Sequence, residues 1–191
     1  MTTRIFPYSL RGLCPRILLP LVLVLGVAGS LSAADLDQLF LDLKGQQDPA
    51  RAAQTEKEIW AEWMDSGDRE INHKLATGAL AMRMGRLDTA LRLFNEVTEL
   101  DPQFAEGWNK RATALYLDGQ YDASLGAIRK TLKLEPRHFG ALSGRAMIYL
   151  RQGRTRGAAR TYERILEIYP TQPQAQERLE ELEEALASPS V

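Results

Sequence analysis

Cysteine is almost absent from this 191-residue sequence, which contains only Cys14. Cys14 precedes the apolar run 17–28, whereas the cysteine of a lipid-anchored exported protein would follow such a run. If residues 1–34 are removed, the mature chain has no thiol. That excludes disulfides, thiol catalysis and thiolate metal sites, and it suits an oxidising compartment.

Histidine is also scarce, and catalytic motifs are missing. His73 and His138 are the only two histidines, and neither has an acidic residue nearby at the spacing of a metal site. No glycine-rich phosphate loop with lysine and serine precedes a helix. His138 falls at an expected turn, where a solvated or backbone-bonded role is favoured over catalysis. We therefore expect no enzyme, cofactor or metal; an enzyme subunit or a hydrolase using surface carboxylates stays an alternative.

The first 34 residues contain no acidic residue and resemble an export signal in composition. Arg4, Arg11 and Arg16 precede the apolar run 17–28, and small residues follow up to Ala34. This order is typical of a secretory signal, and the run is shorter than the roughly 20 residues of a membrane-spanning helix. We expect cleavage after Ala34 and a periplasmic or otherwise extracytoplasmic protein, with an uncleaved inner-membrane anchor as the alternative.

The remaining chain is mildly acidic. Three of the 24 basic residues lie in 1–34, so residues 35–191 contain 21 basic and all 25 acidic residues. Such a balance gives no general attraction for phosphate backbones or anionic lipid. We therefore predict neither nucleic acid nor a membrane surface as a partner, except through an uncleaved signal.

A period of 34 residues runs through the middle of the chain. Pro102, Pro136 and Pro170 are spaced by this period, and each must end a helix because proline cannot donate the helical hydrogen bond. Gly85, Gly119 and Gly153 share another column, where glycine can end a first helix. Apolar positions recur every three or four residues within each unit, so each unit is predicted to be a helix, a tight turn and a second helix.

The second unit resembles the tetratricopeptide repeat in its signature positions. Trp108, Ala112, Leu115 and Ile128 occupy those positions before Pro136. The resemblance covers residues 71–172 and implies an all-α fold, a right-handed α-solenoid of helix-turn-helix repeats. It also implies a protein-interaction module whose inner, concave face receives a partner segment.

The predicted organisation has flanks on both sides of the repeats. An apolar stripe at Ala175, Leu179, Leu182 and Leu186, with glutamates mostly off it, predicts a C-terminal capping helix. Residues 35–70 are interpreted as a degenerate repeat or N-terminal helical cap, or else as an unrelated hairpin that docks on the first unit. The predicted segments are 1–34 signal, 35–70 cap, 71–104, 105–138 and 139–172 repeats, and 173–191 capping helix and tail.

The partner-binding surface is predicted from the face of each first helix that lies opposite the partner helix. Gly140 and Gly144 are four residues apart there, and we expect them to leave a hollow for a partner side chain or helix, or else to allow close packing. The Lys and Asn columns of the chaperone-binding carboxylate clamp are not supported. We predict a protein or peptide partner, no small-molecule substrate and a possible homo-oligomer. The candidate residues are Leu75, Met82, Asn109, Lys110, Thr113, Tyr116, Gly140, Gly144, Met147, Leu150 and Arg151.

Overall fold

The computed structural model describes residues 33–187, all of whose regular structure is helical. The predicted export signal lies outside these residues, apart from Ala33 and Ala34 at the start of the first helix. Within the described part, no helix is both long and apolar enough to cross a membrane. The helices are α1 (Ala33–Gly45), α2 (Pro49–Trp63), α3 (Arg69–Arg83), α4 (Leu87–Leu100), α5 (Ala105–Leu117), α6 (Tyr121–Leu134), α7 (Phe139–Arg151), α8 (Thr155–Ile168) and α9 (Pro173–Ala187).

The turn inside each unit depends on glycine. Gly85, Gly119 and Gly153 have φ of 72°, 76° and 69°, a left-handed conformation that strains other residues. The backbone amide of the next residue reaches back to the first helix; the N–H of Gln120, for example, donates to the carbonyl of Leu115 at 2.9 Å. The predicted glycine column is therefore confirmed as a set of helix terminators.

The three units stack as the period predicts. Each first helix packs on its own second helix, as α3 on α4, α5 on α6 and α7 on α8. The first helices also pack on one another, and each second helix packs on the first helix of the next unit. The first helices consequently form the inner layer of a superhelix. The small column Ala90, Ser124 and Ala158 is buried at the helix crossings, which confirms the all-α repeat fold.

Helix α9 covers the end of the stack beyond the third unit. It packs on α8, with Ala175 buried and Leu179 and Leu182 partly buried against the same core. Leu186, predicted on the same stripe, remains 40% exposed, because α9 runs past the edge of α8. The glutamates of α9 are exposed, as expected for a cap.

The N-terminal hairpin α1–α2 lies in an unexpected place. Its apolar residues Phe40, Leu43, Ile59 and Trp63 share one core with Tyr162 and other residues of α7, α8 and α9. The expectation that residues 35–70 extend the stack or dock on the first unit is therefore wrong in position. The hairpin packs against the third unit because its large aromatic side chains complete the core there.

Candidate functional site

A groove runs along the inner layer between α5 and α7, with α6 behind it. It contains a cavity of about 240 Å³. Six of the predicted partner-binding residues line this cavity together: Asn109, Thr113, Tyr116, Gly140, Gly144 and Met147. The hollow predicted at the two glycines is thus present. An added Cβ at Gly144 would lie 3.6 Å from Ile128 Cδ1, at ordinary contact distance.

One end of the groove, which we name the open end, lies where α5 and α7 finish. Leu117, Met147 and Leu150 are 52%, 43% and 36% exposed there. Arg151 interacts with the hydroxyl of Tyr116, and that hydrogen bond chiefly raises the pKa of the arginine. The open end therefore combines exposed apolar side chains with one cation.

The other end, which we name the hairpin end, lies where α5 and α7 begin and is covered by α2. A Cβ added to Gly140 would lie 2.6 Å from Trp60 Cη2, so the indole occupies the space that a side chain would need. The Lys110 ammonium lies 5.6 Å from the centroid of the Trp60 ring. Half of the predicted glycine hollow is thus filled by a side chain of the same protein.

A buried polar cluster lies beneath the hairpin end. Glu106 and His138 are 1% and 0% exposed, and Glu106 Oε2 lies 3.0 Å from His138 Nε2. The backbone N–H of Ala141 donates to His138 Nδ1 at 3.2 Å, so Nε2 carries the proton and donates to the carboxylate. Asn109 Nδ2 donates to Oε2 at 2.8 Å, and Lys110 Nζ lies 2.8 Å from Oε1.

These contacts keep the Glu106 carboxylate ionised. Burial alone would raise its pKa, but the hydrogen bond from His138 and the charge of Lys110 outweigh burial and hold the pKa below its ordinary value. A buried carboxylate with this many partners is a positioning element for three helices' residues. It also has no opening to solvent through which a substrate could reach it.

Aromatic rings fix the hairpin over this cluster. Trp63 stacks on the His138 imidazole with centroids 3.9 Å apart and planes 8° from parallel. Farther along α2, Glu56 accepts hydrogen bonds from Trp60 Nε1 and from the Tyr169 hydroxyl, both at 3.3 Å. Burial and the neighbouring Glu56 charge raise the pKa of Tyr169 to about 12, so that hydroxyl remains a donor. The hairpin is therefore held by stacking and hydrogen bonds together.

Several candidate residues have structural rather than exposed positions. Leu75 is fully buried beside Phe94, so its prediction as a partner contact is wrong: α3 is rotated so that this leucine faces α4. Met82 packs partly against the same core. Asn109 is 6% exposed and bonded to Glu106, and Lys110 is already paired with that carboxylate; both belong to the buried cluster more than to a free surface.

Sequence reasoning missed the pairing of His138 with Glu106. His138 was expected to be solvated or backbone-bonded; it caps α7 through the Ala141 amide, but it is fully buried. The signal that could have found the pair is the repeat itself. Glu106 is the second residue of its unit and His138 the last, and those two positions adjoin at the junction with the next unit.

A stack of helix pairs whose first helices line a groove defines a helical-repeat binding scaffold. The sequence pattern of the tetratricopeptide repeat matches residues 75–130 and again 111–173, so the chain belongs to the tetratricopeptide repeat family. Proteins built this way typically serve as non-enzymatic scaffolds that bind other proteins or peptides.

Known proteins of this family resemble the chain in sequence or in fold. A TPR repeat-containing protein of Rhizobium etli is 41% identical over 160 residues, which span 84% of this chain and 78% of the relative. The first TPR of Spaghetti (RPAP3), solved with an HSP90 peptide, has a TM-score of 0.58 at 22% identity and covers 62% of this chain and 94% of its own.

A second solved structure is the Yersinia enterocolitica type III secretion chaperone SycD in complex with a peptide of the translocator YopD. It has a TM-score of 0.58 at 13% identity and covers 64% of this chain and 99% of its own. At these identities the two solved structures show the shared fold alone.

Proposed function

We propose that this protein is a non-enzymatic adaptor of the cell envelope that binds a segment of another protein in the groove between α5 and α7. The observation that carries the proposal is the cavity lined by Gly140, Gly144, Tyr116 and Met147, which continues into exposed Leu117 and Leu150 at the open end. An inner-layer groove with adaptable methionine and tyrosine side chains suits a protein segment.

The size of the cavity supports a protein segment over a small molecule. At about 240 Å³ it is smaller than the roughly 300–1,000 Å³ of typical ligand pockets, and it is open along the groove. It can accept one apolar side chain while the rest of the segment lies across α5 and α7. Tetratricopeptide structures solved with bound peptides, such as those of Spaghetti and SycD, make this mode of binding reasonable.

The open end suggests the chemistry of the bound segment. Leu117, Met147 and Leu150 offer apolar contact, and Arg151 adds a positive charge next to Tyr116. We therefore expect a segment with apolar anchors and an acidic residue near Arg151. Two or three such anchors at helical spacing would fit the distance between the two helices.

Gly144 provides the matched pair of variants that tests the proposal. Gly144→Leu should fill the cavity, whereas Gly144→Ala should leave room, because its Cβ meets only Ile128 at contact distance. A photoreactive residue at Met147 should crosslink an envelope protein in wild type and in Gly144→Ala, but not in Gly144→Leu. The same reactive residue at Arg129, exposed on α6, is the control for random contact.

Thermal melting of each variant separates loss of binding from loss of folding. Equal crosslinking by Gly144→Leu and Gly144→Ala, with both variants folded, would contradict the proposed site. The sequence of the crosslinked peptide would then show whether the partner segment carries apolar anchors and an acid.

Export is the second part of the proposal, supported by the basic, apolar and small-residue order of residues 1–34. The test is mass spectrometry of the protein isolated from cell fractions. A periplasmic protein that begins at Asp35 is expected. A protein that begins at Met1 in the membrane fraction would indicate an uncleaved anchor, and one in the cytoplasm would contradict the envelope role.

A further inference from the structure

The two ends of the repeat stack differ in how they are covered. The third unit is covered by α9 and by the N-terminal hairpin. The first unit begins with α3, which packs against α4 and α5. Residues 64–68 cover only its first turn, where the Ser66 amide donates to Asn72 Oδ1. The outer side of α3 is therefore the end of the stack that remains uncovered.

The repeat itself shows what this side of α3 is built to contact. Leu80, Ala114 and Ile148 occupy the same column, and they are 48%, 0% and 0% exposed. Ala114 lies in the core formed with α4, and Ile148 in the core formed with α6. In the later units, then, a helix of the preceding unit covers this column. In the first unit no described helix takes that place.

Five exposed residues of α3 form one continuous stripe, which we name the end stripe. Their spacing of three and four residues places them on one side of the helix, as in the seam of a helix pair. All five are exposed, whereas Phe104, Gly107 and Ala114, which occupy equivalent positions on α5, are buried. The end stripe consists of Glu70, His73, Thr77, Leu80 and Met84.

We propose that the end stripe pairs with the end stripe of a second copy, so that two chains form a two-fold dimer through antiparallel α3 helices. Thr77 is the middle residue of the stripe and would lie at the two-fold axis. Leu80 and Met84, at 48% and 60% exposure, would be buried against the second copy on either side of that axis. This proposal is independent of the groove.

Charge complementarity favours the antiparallel arrangement. Glu70 lies in the first turn of α3 and Arg83 in the last. Antiparallel pairing about Thr77 brings Glu70 of each copy next to Arg83 of the other, which gives two ion pairs for one helix contact. Glu70 also lies 3.5 Å from Lys74 of its own helix but remains 71% exposed, so its carboxylate is accessible.

The opposite end of the molecule argues against head-to-tail stacking. The outer surface of α9 carries exposed glutamates, among them Glu177, Glu180 and Glu181, and would place charge against Leu80 and Met84. Head-to-head pairing matches apolar with apolar, uses each stripe once and closes at two copies. A second copy is therefore the occupant that the charges of the two ends favour.

The first test is the oligomeric state of the full chain by analytical ultracentrifugation over a series of concentrations. A monomer–dimer equilibrium is expected. Leu80→Asp should raise the dimer dissociation constant about tenfold or more, since it places two carboxylates near the axis. Leu117→Asp, a change of an equally exposed leucine at the open end, is the matched control and should leave the constant unchanged.

The second test fixes the register of the two helices. In a Cys14→Ser background, Thr77→Cys should form a disulfide between copies, and Arg129→Cys should not. Glu70→Arg and Arg83→Glu should each weaken the dimer a few fold, and the double variant should recover it. Recovery is specific to antiparallel pairing, because only there do the two residues meet.

Three outcomes overturn the proposal. A chain that stays monomeric at every soluble concentration has no such dimer. A dimer that Leu117→Asp dissociates and Leu80→Asp does not would associate through the groove instead. A monomer in which Leu80 is protected from hydroxyl-radical labelling would have its end stripe covered by residues 1–32 of its own chain.

Discussion

The two ends of the groove have the same helices but opposite properties. At the hairpin end, Trp60 covers Gly140 and a buried carboxylate holds the junction between α5 and α7. At the open end, Leu117, Met147 and Leu150 face solvent. The first arrangement stabilises the fold and the second leaves apolar surface for a partner. Replacing residues at the hairpin end should therefore change stability, and replacing residues at the open end should change binding.

The largest effect is expected for Trp63→Ala at the hairpin end. The variant removes the ring that stacks on His138 and contacts Phe139 and Phe40. We expect the free energy of unfolding to fall by about 3–5 kcal/mol, measured by urea denaturation. Trp108→Ala, at a half-buried position, is the control and should cost less. Equal losses would mean that the hairpin adds no particular stability.

Glu106→Gln should lower the free energy of unfolding by about 1–3 kcal/mol at neutral pH, because the attraction to Lys110 is lost while the side chain keeps its size. The wild-type contribution also depends on pH. The folded-state pKa lies below the ordinary 4.5, so this stabilisation is complete above 4.5 and is lost as the pH falls through the folded value.

Urea denaturation at a series of pH values between neutrality and about pH 3 measures this dependence. The stability of Glu106→Gln should fall less steeply with acidification than that of the wild type. Two parallel profiles would mean that Glu106 does not take part in acid unfolding.

Gly140→Ala and Gly144→Ala should change stability in opposite directions, although the two sites lie on the same side of α7. At Gly140 the new Cβ would meet Trp60 at 2.6 Å, which should cost about 1–3 kcal/mol. At Gly144 there is room, and the better helix propensity of alanine should add up to about 1 kcal/mol. Thermal or urea unfolding measures both. The same sign at both sites would contradict the described position of the hairpin.

The smallest change in stability is expected for Met147→Ala. Met147 is 43% exposed, and truncation of an exposed side chain away from special features usually changes stability by less than about 0.5 kcal/mol. Binding of the crosslinked partner segment should nevertheless weaken, as measured by fluorescence anisotropy of a labelled peptide. A marked loss of stability without loss of binding would reassign Met147 to the core.

The period of 34 residues predicted the repeat fold because proline and glycine act locally. Pro136 and Gly119 end helices wherever they occur, so their spacing fixes the helix pairs without knowledge of the rest of the chain. The groove residues followed from the same register, and Gly140, Gly144 and Met147 do share one cavity. Leu75 failed because the rotation of a terminal helix depends on what covers it.

The position of the hairpin could not be predicted from its sequence. The apolar stripe with Phe40 and Trp63 shows that residues 35–63 must pack on something, but it does not say which unit. The contacts that decide this join residues far apart in the chain, such as Trp63 with His138. Periodicity carries no information about such pairs, because they occur once.

The hydrogen bond between Glu56 and Tyr169 joins residues 113 positions apart, and Arg137 binds Asp37 across 100 positions. Most stacks of this kind contain only neighbour-to-neighbour contacts, and their parts can unravel one after another. Here the beginning of the chain is fastened near its far end, which raises the contact order. We therefore expect slower folding and a single cooperative transition in which no repeat melts separately.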